Sequence, residues 1–169
     1  MGFVGLVTGG AKSGKSRHAE AQVLALGGTP IYIATAEALD DEMTDRIARH
    51  RMDRGDGWIT REEPNDLCAV LRETDGQGPR LVDCLTLWLS NRMLAEANIS
   101  LELAELCAAL PELESPVWFV TNEVGSGIVP ATPLGREYRD WCGTMNQRIG
   151  ALADRVDLVV CGQALTIKG

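Results

Sequence analysis

The sequence carries no excess of positive charge. Lys and Arg number 16 against 24 Asp and Glu, for a formal net charge of -8. That balance argues against broad binding to nucleic acid or to an anionic membrane surface, both of which want a basic field. A phosphorylated ligand must therefore be met by a local basic cluster. Long hydrophobic runs are also missing, so no membrane span is expected. The apolar opening MGFVGLVTGG is too short for a signal-peptide core and no basic segment precedes it, so no targeting segment is expected either. Gly2 lacks the downstream Ser or Thr of the myristoylation pattern. Cys68, Cys84, Cys107, Cys142 and Cys161 form no C-x-x-C pair. An odd count without such a pair suggests neither a disulfide framework nor a zinc knuckle, and reduced thiols in a cytoplasmic protein fit best. With no internal repeat, low-complexity tract or long linker, residues 1–169 read as a single domain, long enough to bury a substantial core.

What is present is an alternation of short apolar runs and helical patterns. Phe3–Thr8 reads as a buried strand bounded by Gly9-Gly10, followed by a helix from Gly14 to about Leu26 that Gly27-Gly28 ends. Ile31–Thr35, Arg80–Cys84, Pro116–Thr121 and Leu158–Cys161 are further expected strands, and Leu165–Ile167 could add a short one. Helices are expected over Asp40–Arg54, Leu67–Glu73, Leu85–Ala97, Leu101–Leu110 and Leu134–Val156, with Asn122–Pro133 as a loop. Strands alternating with helices imply βαβ units and hence an α/β fold with a largely parallel sheet. Trp88, Trp118 and Trp141 are expected in its core.

The segment Gly9-Gly10-Ala11-Lys12-Ser13-Gly14-Lys15-Ser16 matches G-x-x-x-x-G-K-[ST]. It also stands where that motif must stand, after a strand and opening a helix. Glycines let the backbone curl so that successive N–H groups point at phosphate oxygens, and the helix N-terminus adds its positive end. Lys15 is placed to reach the β and γ phosphates of ATP or GTP, and the Ser16 hydroxyl to bind Mg²⁺. A second Mg²⁺ anchor is expected at the end of a neighbouring strand, where Asp83 stands. Asp83 could equally cap the helix that follows it; an occupied phosphate loop favours the metal.

Arg46, Arg49, Arg51 and Arg54 supply the local positive field in this acidic chain. At helical spacing Arg46, His50 and Arg54 share a face, bordered by Met43 and Ile47. Spacing alone favours a half-buried histidine beside solvated arginines. The functional alternative is a nucleophile that attacks an α-phosphate and carries a nucleotidyl group, with the arginines balancing phosphate charge. The other histidine, His18, lies on the phosphate-loop helix and is the weaker candidate. Asn122 and Glu123 follow the strand Pro116–Thr121, at the sheet edge where α/β proteins bind ligands. Their side chains either serve a substrate or brace the loop.

GGAKSGKSRHAE, YIATAEALDDEM, RIARHR, LVDCLTLWLSN and TNEVGSGIVP, in this order and spacing, resemble the bifunctional adenosylcobinamide kinase/adenosylcobinamide-phosphate guanylyltransferase family of cobalamin biosynthesis. The resemblance runs end to end, and TNEVGSGIVP is its most specific part. It implies phosphorylation of the aminopropanol hydroxyl of adenosylcobinamide with ATP or GTP. It further implies transfer of GMP from GTP, through a histidine, to the phosphorylated corrinoid, giving adenosylcobinamide-GDP. The histidine of the RIARHR segment is His50; some relatives carry two adjacent histidines there, whereas here Arg49 precedes it. By the same resemblance Ala34, Thr35, Ala36, Arg51, Met52, Asp53, Arg54, Glu62 and Asp83 line the GTP site, the sheet is RecA-like, and the protein is a homotrimer.

Two other readings compete. A single-function P-loop kinase accounts for Gly9–Ser16 and Asp83 but leaves the RIARHR segment unexplained. A GTP-dependent switch protein would read guanine with Asn-Lys-x-Asp, and the nearest segment here, Thr121-Asn122-Glu123-Val124, lacks the lysine and the aspartate.

Overall fold

The structure, a computed structural model, describes residues 2–37, 45, 48, 52 and 54–169. Seven strands form one sheet: β1 (Val4–Gly9), β2 (Ile31–Ala34), β3 (Ile59–Glu62), β4 (Arg80–Asp83), β5 (Val117–Val120), β6 (Arg155–Val160) and β7 (Gln163–Lys168). The described helices are α1 (Lys15–Ala25), α2 (Leu67–Glu73), α3 (Leu85–Leu94), α4 (Ile99–Ala109) and α5 (Pro133–Leu152), with a 3-10 turn at Leu110–Glu112. Strand order is β3-β2-β4-β5-β1-β6-β7. All neighbours are parallel except β6 and β7, which pair antiparallel. This is the α/β architecture expected from the alternation of strands and helices.

Period-two alternation along each strand assigns side chains to two faces. In β5, Val117 and Phe119 join the larger cluster beneath α2, α3, α4 and α5, which includes Leu89, Leu103, Leu106, Met145 and Ile149. Trp118 and Val120 join the smaller cluster with Ala19 and Val23 of α1. Leu6 and Val82 face the first cluster, and Val7, Tyr32 and Leu81 the second. Asp83, two residues after Leu81, therefore lies on the α1 face. Trp88 and Trp118 are buried, and the half-buried Trp141 packs against the larger core.

Several boundaries differ from the sequence expectation. The last helix stops at Leu152 rather than Val156, because the chain turns extended at Ala153 and Asp154 bonds to β1. The Asp154 carboxylate accepts from the Val4 amide at 2.8 Å, and the Asp154 amide donates to the Val4 carbonyl at 2.7 Å. Residues 155–156 thus open β6. Helix α4 starts at Ile99, since Asn98 caps it by accepting from the Leu101 amide. Helix α3 ends at Leu94, three residues early. Strand β3 was not anticipated: ITRE carries one apolar residue and sits exposed at the sheet edge, so it shows no buried-strand pattern. Within 40–54 the described positions Asp45, Ala48, Met52 and Arg54 are helical.

Buried Arg80 starts β4 and anchors the opposite end of the sheet. Its guanidinium donates to the carbonyls of Leu71 and Ser115 and pairs with Asp75 at 3.0 Å. Burial pushes the Asp75 carboxyl up, but hydrogen bonds from the Ser115 and Glu114 amides and the Arg80 charge outweigh it and hold it below the usual range.

Gly5 is opposite Trp118 in the β1–β5 register, and a Cβ there would overlap the indole ring. Gly5→Ala is expected to destabilise the fold by about 1–3 kcal/mol through overpacking. The check is a urea midpoint that falls with an unchanged slope; an unchanged midpoint would mean the indole moves freely.

Candidate active site at the carboxyl edge of the sheet

Parallel register brings the carboxyl ends of the strands into one line. Val7 pairs with Val120, Val120 with Asp83, Asp83 with Ala34 and Ala34 with Glu62. On the other side Val7 pairs with Asp157. Three residues singled out from sequence, Ala34, Glu62 and Asp83, therefore occupy a single rung across adjacent strands. The phosphate loop leaves β1 two residues beyond that rung.

The loop is held by backbone bonds from two neighbouring connections. The Glu123 amide, after β5, donates to the Gly9 carbonyl at 3.1 Å, and the Gly162 amide, between β6 and β7, donates to the Ser13 carbonyl at 2.9 Å. Within the loop the Ser13 amide donates to Gly10 at 3.2 Å. Gly9 must lack a side chain, because a Cβ would overlap the Val159 carbonyl and come within 2.7 Å of Ser13 Oγ. Gly14, at φ 96, adopts a left-handed conformation that favours glycine, and it caps α1 without a side-chain hydrogen bond. A helix N-terminus without a side-chain cap is a setting that can receive anions. Lys15 is buried with its Nζ folded back to the Gly10 carbonyl at 3.1 Å, so its charge lies over the loop. Ser16 is half-buried in the first turn, while Gly10, Ala11 and Lys12 are exposed.

Asp83 is half-buried and accepts from the Tyr32 hydroxyl at 3.1 Å. Burial, and then the Asp83 charge, push the Tyr32 phenol far above its ordinary range, so it stays a donor throughout the accessible pH range. The Arg54 guanidinium carbon sits 3.2 Å from the centroid of the Tyr32 ring, and Trp58 packs edge-on at 6.0 Å. Nε and Nη1 of Arg54 are buried without a hydrogen-bond partner among the described residues.

Thr35 plays a different part from its neighbours in the rung. It is fully buried, and its hydroxyl donates to the Cys84 carbonyl and accepts from the Cys84 amide, both at 2.7 Å. Its carbonyl accepts from Asn91 Nδ2 at 2.8 Å. The side chain is spent on joining β2 to the start of α3; Ala34 and Ala36 are half-buried on either side.

Asn122 and Glu123 are tied into the loop by side-chain hydrogen bonds. Asn122 Nδ2 donates to Thr86 Oγ1 at 2.6 Å, and Glu123 Oε1 accepts from the Gly125 amide at 2.7 Å. Thr121 and Asn146 extend this network, and Tyr138 donates to the Thr86 carbonyl at 3.0 Å. Burial raises the Cys84 and Cys142 thiols to about 11, so both remain neutral and inert. Tyr32, Thr86 and Asn91 were missed in the sequence, where an isolated hydroxyl or amide carries no pattern.

His18 Nε2 lies 2.8 Å from Asp157 Oδ2, and Arg155 and Thr166 bond to Oδ1 of the same buried carboxylate. His18 therefore fastens α1 to the β6–β7 pair rather than facing the nucleotide. His50, Arg51 and Asp53 lie outside the described residues. Met52 is exposed.

A phosphate loop between β1 and α1, with an aspartate two strands away on the α1 face, defines the class: an α/β P-loop NTPase with a RecA-like sheet. The solved flagellar accessory protein FlaH from Methanocaldococcus jannaschii superposes with a TM-score of 0.54 at 12% identity, covering 98% of this chain and 78% of that one. A second solved structure, an ATPase domain, gives 0.51 at 12% identity, over 92% and 68%. The particular family follows from sequence: residues 5–167 match the model for cobinamide kinase / cobinamide phosphate guanyltransferase. The chain is 44% identical to the bifunctional adenosylcobalamin biosynthesis protein CobP of Pseudomonas aeruginosa, over 97% of this chain and 96% of that protein. It is 41% identical to CobU of Salmonella typhimurium, another bifunctional adenosylcobalamin biosynthesis protein, over 96% and 98%. It is also 39% identical to CobU of Escherichia coli, over 96% and 98%. The protein belongs to the cobinamide kinase / cobinamide phosphate guanyltransferase family.

Burial pushes the Asp157 carboxyl up, but hydrogen bonds from Arg155, His18 and Thr166 prevail and hold it below its ordinary value. A depressed folded-state value means a stabilising contribution that is complete above about pH 4, the unfolded carboxylate value, and is lost as pH falls through the folded value. Asp157→Asn is expected to flatten the acid limb of the stability curve below about pH 4, measured by thermal unfolding from about pH 2 to about pH 8. An acid limb identical to wild type would refute the assignment.

Proposed function

We propose that the protein phosphorylates adenosylcobinamide with ATP or GTP and then transfers GMP from GTP to the phosphorylated corrinoid, giving adenosylcobinamide-GDP. The observation that carries this reading is the phosphate loop Gly9–Ser16 beside Asp83 on the α1 face, in a chain matched by the family over residues 5–167.

In the kinase half, the acceptor hydroxyl oxygen attacks the γ-phosphorus, the bond to the β-phosphate bridging oxygen breaks, and the hydroxyl proton is released. Lys15, folded over the loop, balances charge on the transferring group, while loop amides and the α1 terminus hold the remaining phosphates. In the guanylyltransferase half, a nitrogen of His50 attacks the α-phosphorus of GTP and pyrophosphate leaves. An oxygen of the corrinoid phosphate then attacks the same phosphorus and the P–N bond breaks. Arg51 and Arg54 offset phosphate charge beside that histidine, and Ala34, Thr35, Ala36, Met52, Asp53 and Glu62 complete the nucleotide site.

The residues present fit Mg²⁺. Mg²⁺ keeps several waters and takes one or two protein oxygens together with substrate phosphates. Among the described residues no group of three or more His, Cys, Asp or Glu side chains is placed to hold a metal ion by itself. Ser16 and Asp83 offer two hard oxygen donors, and the ion would neutralise charge on the phosphates. No described helix is long and apolar enough to cross a membrane. A homotrimer, as the resemblance implies, and a reducing cytoplasm, which suits the free thiols, complete the reading, with one domain spanning 1–169.

The test is protein-bound label after incubation with Mg²⁺ and either α- or γ-labelled GTP. Acid-labile, alkali-stable label is expected from the α position alone. It should vanish in His50→Ala and fall by about tenfold or more in Lys15→Ala. Absence of α label in a folded, GTP-binding protein would leave a P-loop kinase without the transferase.

A further inference from the structure

Tyr32 is the residue at this edge whose place no motif explains. It lies in the middle of β2, only 5% exposed, on the face that packs against α1. An apolar side chain would satisfy that position as packing. The phenol instead reaches diagonally across to the end of β4 and donates to Asp83 Oδ2 at 3.1 Å. The ring is engaged as well, with the Arg54 guanidinium over one face at 3.2 Å and Trp58 at its edge. Arg54 is four residues beyond His50. Its Nε and Nη1 are buried with no hydrogen-bond partner among the described residues, and the ring face is a contact that seats the guanidinium.

We propose that Tyr32 is a positioning residue that serves both halves of the site, its hydroxyl fixing Asp83 for the metal and its ring seating Arg54 for the nucleotide phosphates. This rests on the reading above that Asp83 anchors Mg²⁺ and Arg54 contacts nucleotide. A carboxylate with one oxygen held by a neutral donor keeps its other oxygen directed and loses less rotational freedom when it coordinates. Groups that orient a metal ligand in this way are worth about 10–100-fold in metal affinity. The ring contribution is separable: a cation over an aromatic face is held by the ring quadrupole, which does not need the hydroxyl.

Two substitutions divide these roles. Tyr32→Phe keeps the ring and removes the donor; Tyr32→Leu removes both. The readout is binding of a fluorescent N-methylanthraniloyl GTP analogue, titrated with Mg²⁺ and repeated in EDTA, with Asp83→Asn in parallel and unfolding midpoints for every variant. Tyr32→Phe is expected to raise the Mg²⁺ concentration at half-saturation by about tenfold and to leave affinity in EDTA unchanged. Unchanged affinity in EDTA also shows that the variant is folded. Tyr32→Leu is expected to weaken binding in EDTA too, by about three- to fivefold for one cation–ring contact. A wild-type Mg²⁺ requirement in Tyr32→Phe, with Asp83→Asn impaired, overturns the positioning role while sparing the metal assignment. A wild-type requirement in Asp83→Asn overturns both. Equal loss in EDTA for Phe and Leu would show that the hydroxyl merely maintains the fold, and it too overturns the proposal.

Discussion

Parallel pairing in a single register is the constraint on which this molecule depends. Parallel strands all run the same way, so each must end on the same edge, and each connection must return over a face of the sheet. Once Val7, Val120, Asp83, Ala34 and Glu62 share a rung, everything that follows those strands is delivered to one edge. The loop after β1, the carboxylate ending β4 and the Asn122-Glu123 turn after β5 become neighbours without any further specification. The placing of β5 between β1 and β4 matters equally. It separates the phosphate loop from Asp83 by the width of one strand, about 4.8 Å on either side, so the two flank a common gap.

The edge is then held by polar bonds that contribute no chemistry of their own. Backbone ends at a sheet edge are unpaired and half-buried, where an unsatisfied group costs about 1–3 kcal/mol. Thr35 and Asn91 meet that need at the backbone of Cys84 and Thr35, and Asn146 and Tyr138 at the carbonyls of Asn122 and Thr86. The two amides that fix the phosphate loop, from Glu123 and Gly162, come from different neighbouring strands, so the loop is clamped on both flanks. His18 and Asp157 add a side-chain fastening between the loop's helix and β6. A loop held in this way has less conformational freedom to lose on binding phosphate.

The sequence carried the parts of this arrangement that leave a periodic or spaced trace. β1, β2, β4 and β5 are apolar runs bounded by turn residues, and the phosphate loop has fixed glycine spacing, so both could be read directly. The β3 run ITRE could not, because an exposed edge strand needs no apolar alternation. Nor could the end of α5, where helix gives way to strand through a tertiary bond between Asp154 and Val4 rather than through a local stop signal. Of the site, Lys15, Ser16 and Asp83 could be read from motif and strand end. The division of labour between Ala34, in the rung, and Thr35, turned into the structure, depends on the pleat and is invisible in a string. Tyr32 was unreadable for the same reason: its hydroxyl acts on a residue 51 positions away.

An acidic chain that handles polyphosphates poses an electrostatic question which the edge answers locally. A net charge of -8 sets up a repulsive field at long range, but at physiological ionic strength that field decays over about 8 Å. Attraction within the site acts at contact distance and in partly excluded water, where a charge pair is worth several times its value in solvent. One buried lysine, a run of loop amides and an uncapped helix terminus therefore outweigh distant carboxylates. Asp83 is the exception, a negative charge on the same edge as the phosphate loop. On the proposed reading it would oppose the ligand without a cation and become part of the grip with one. Nucleotide binding would then be linked to the cation, since either one would lower the cost of admitting the other.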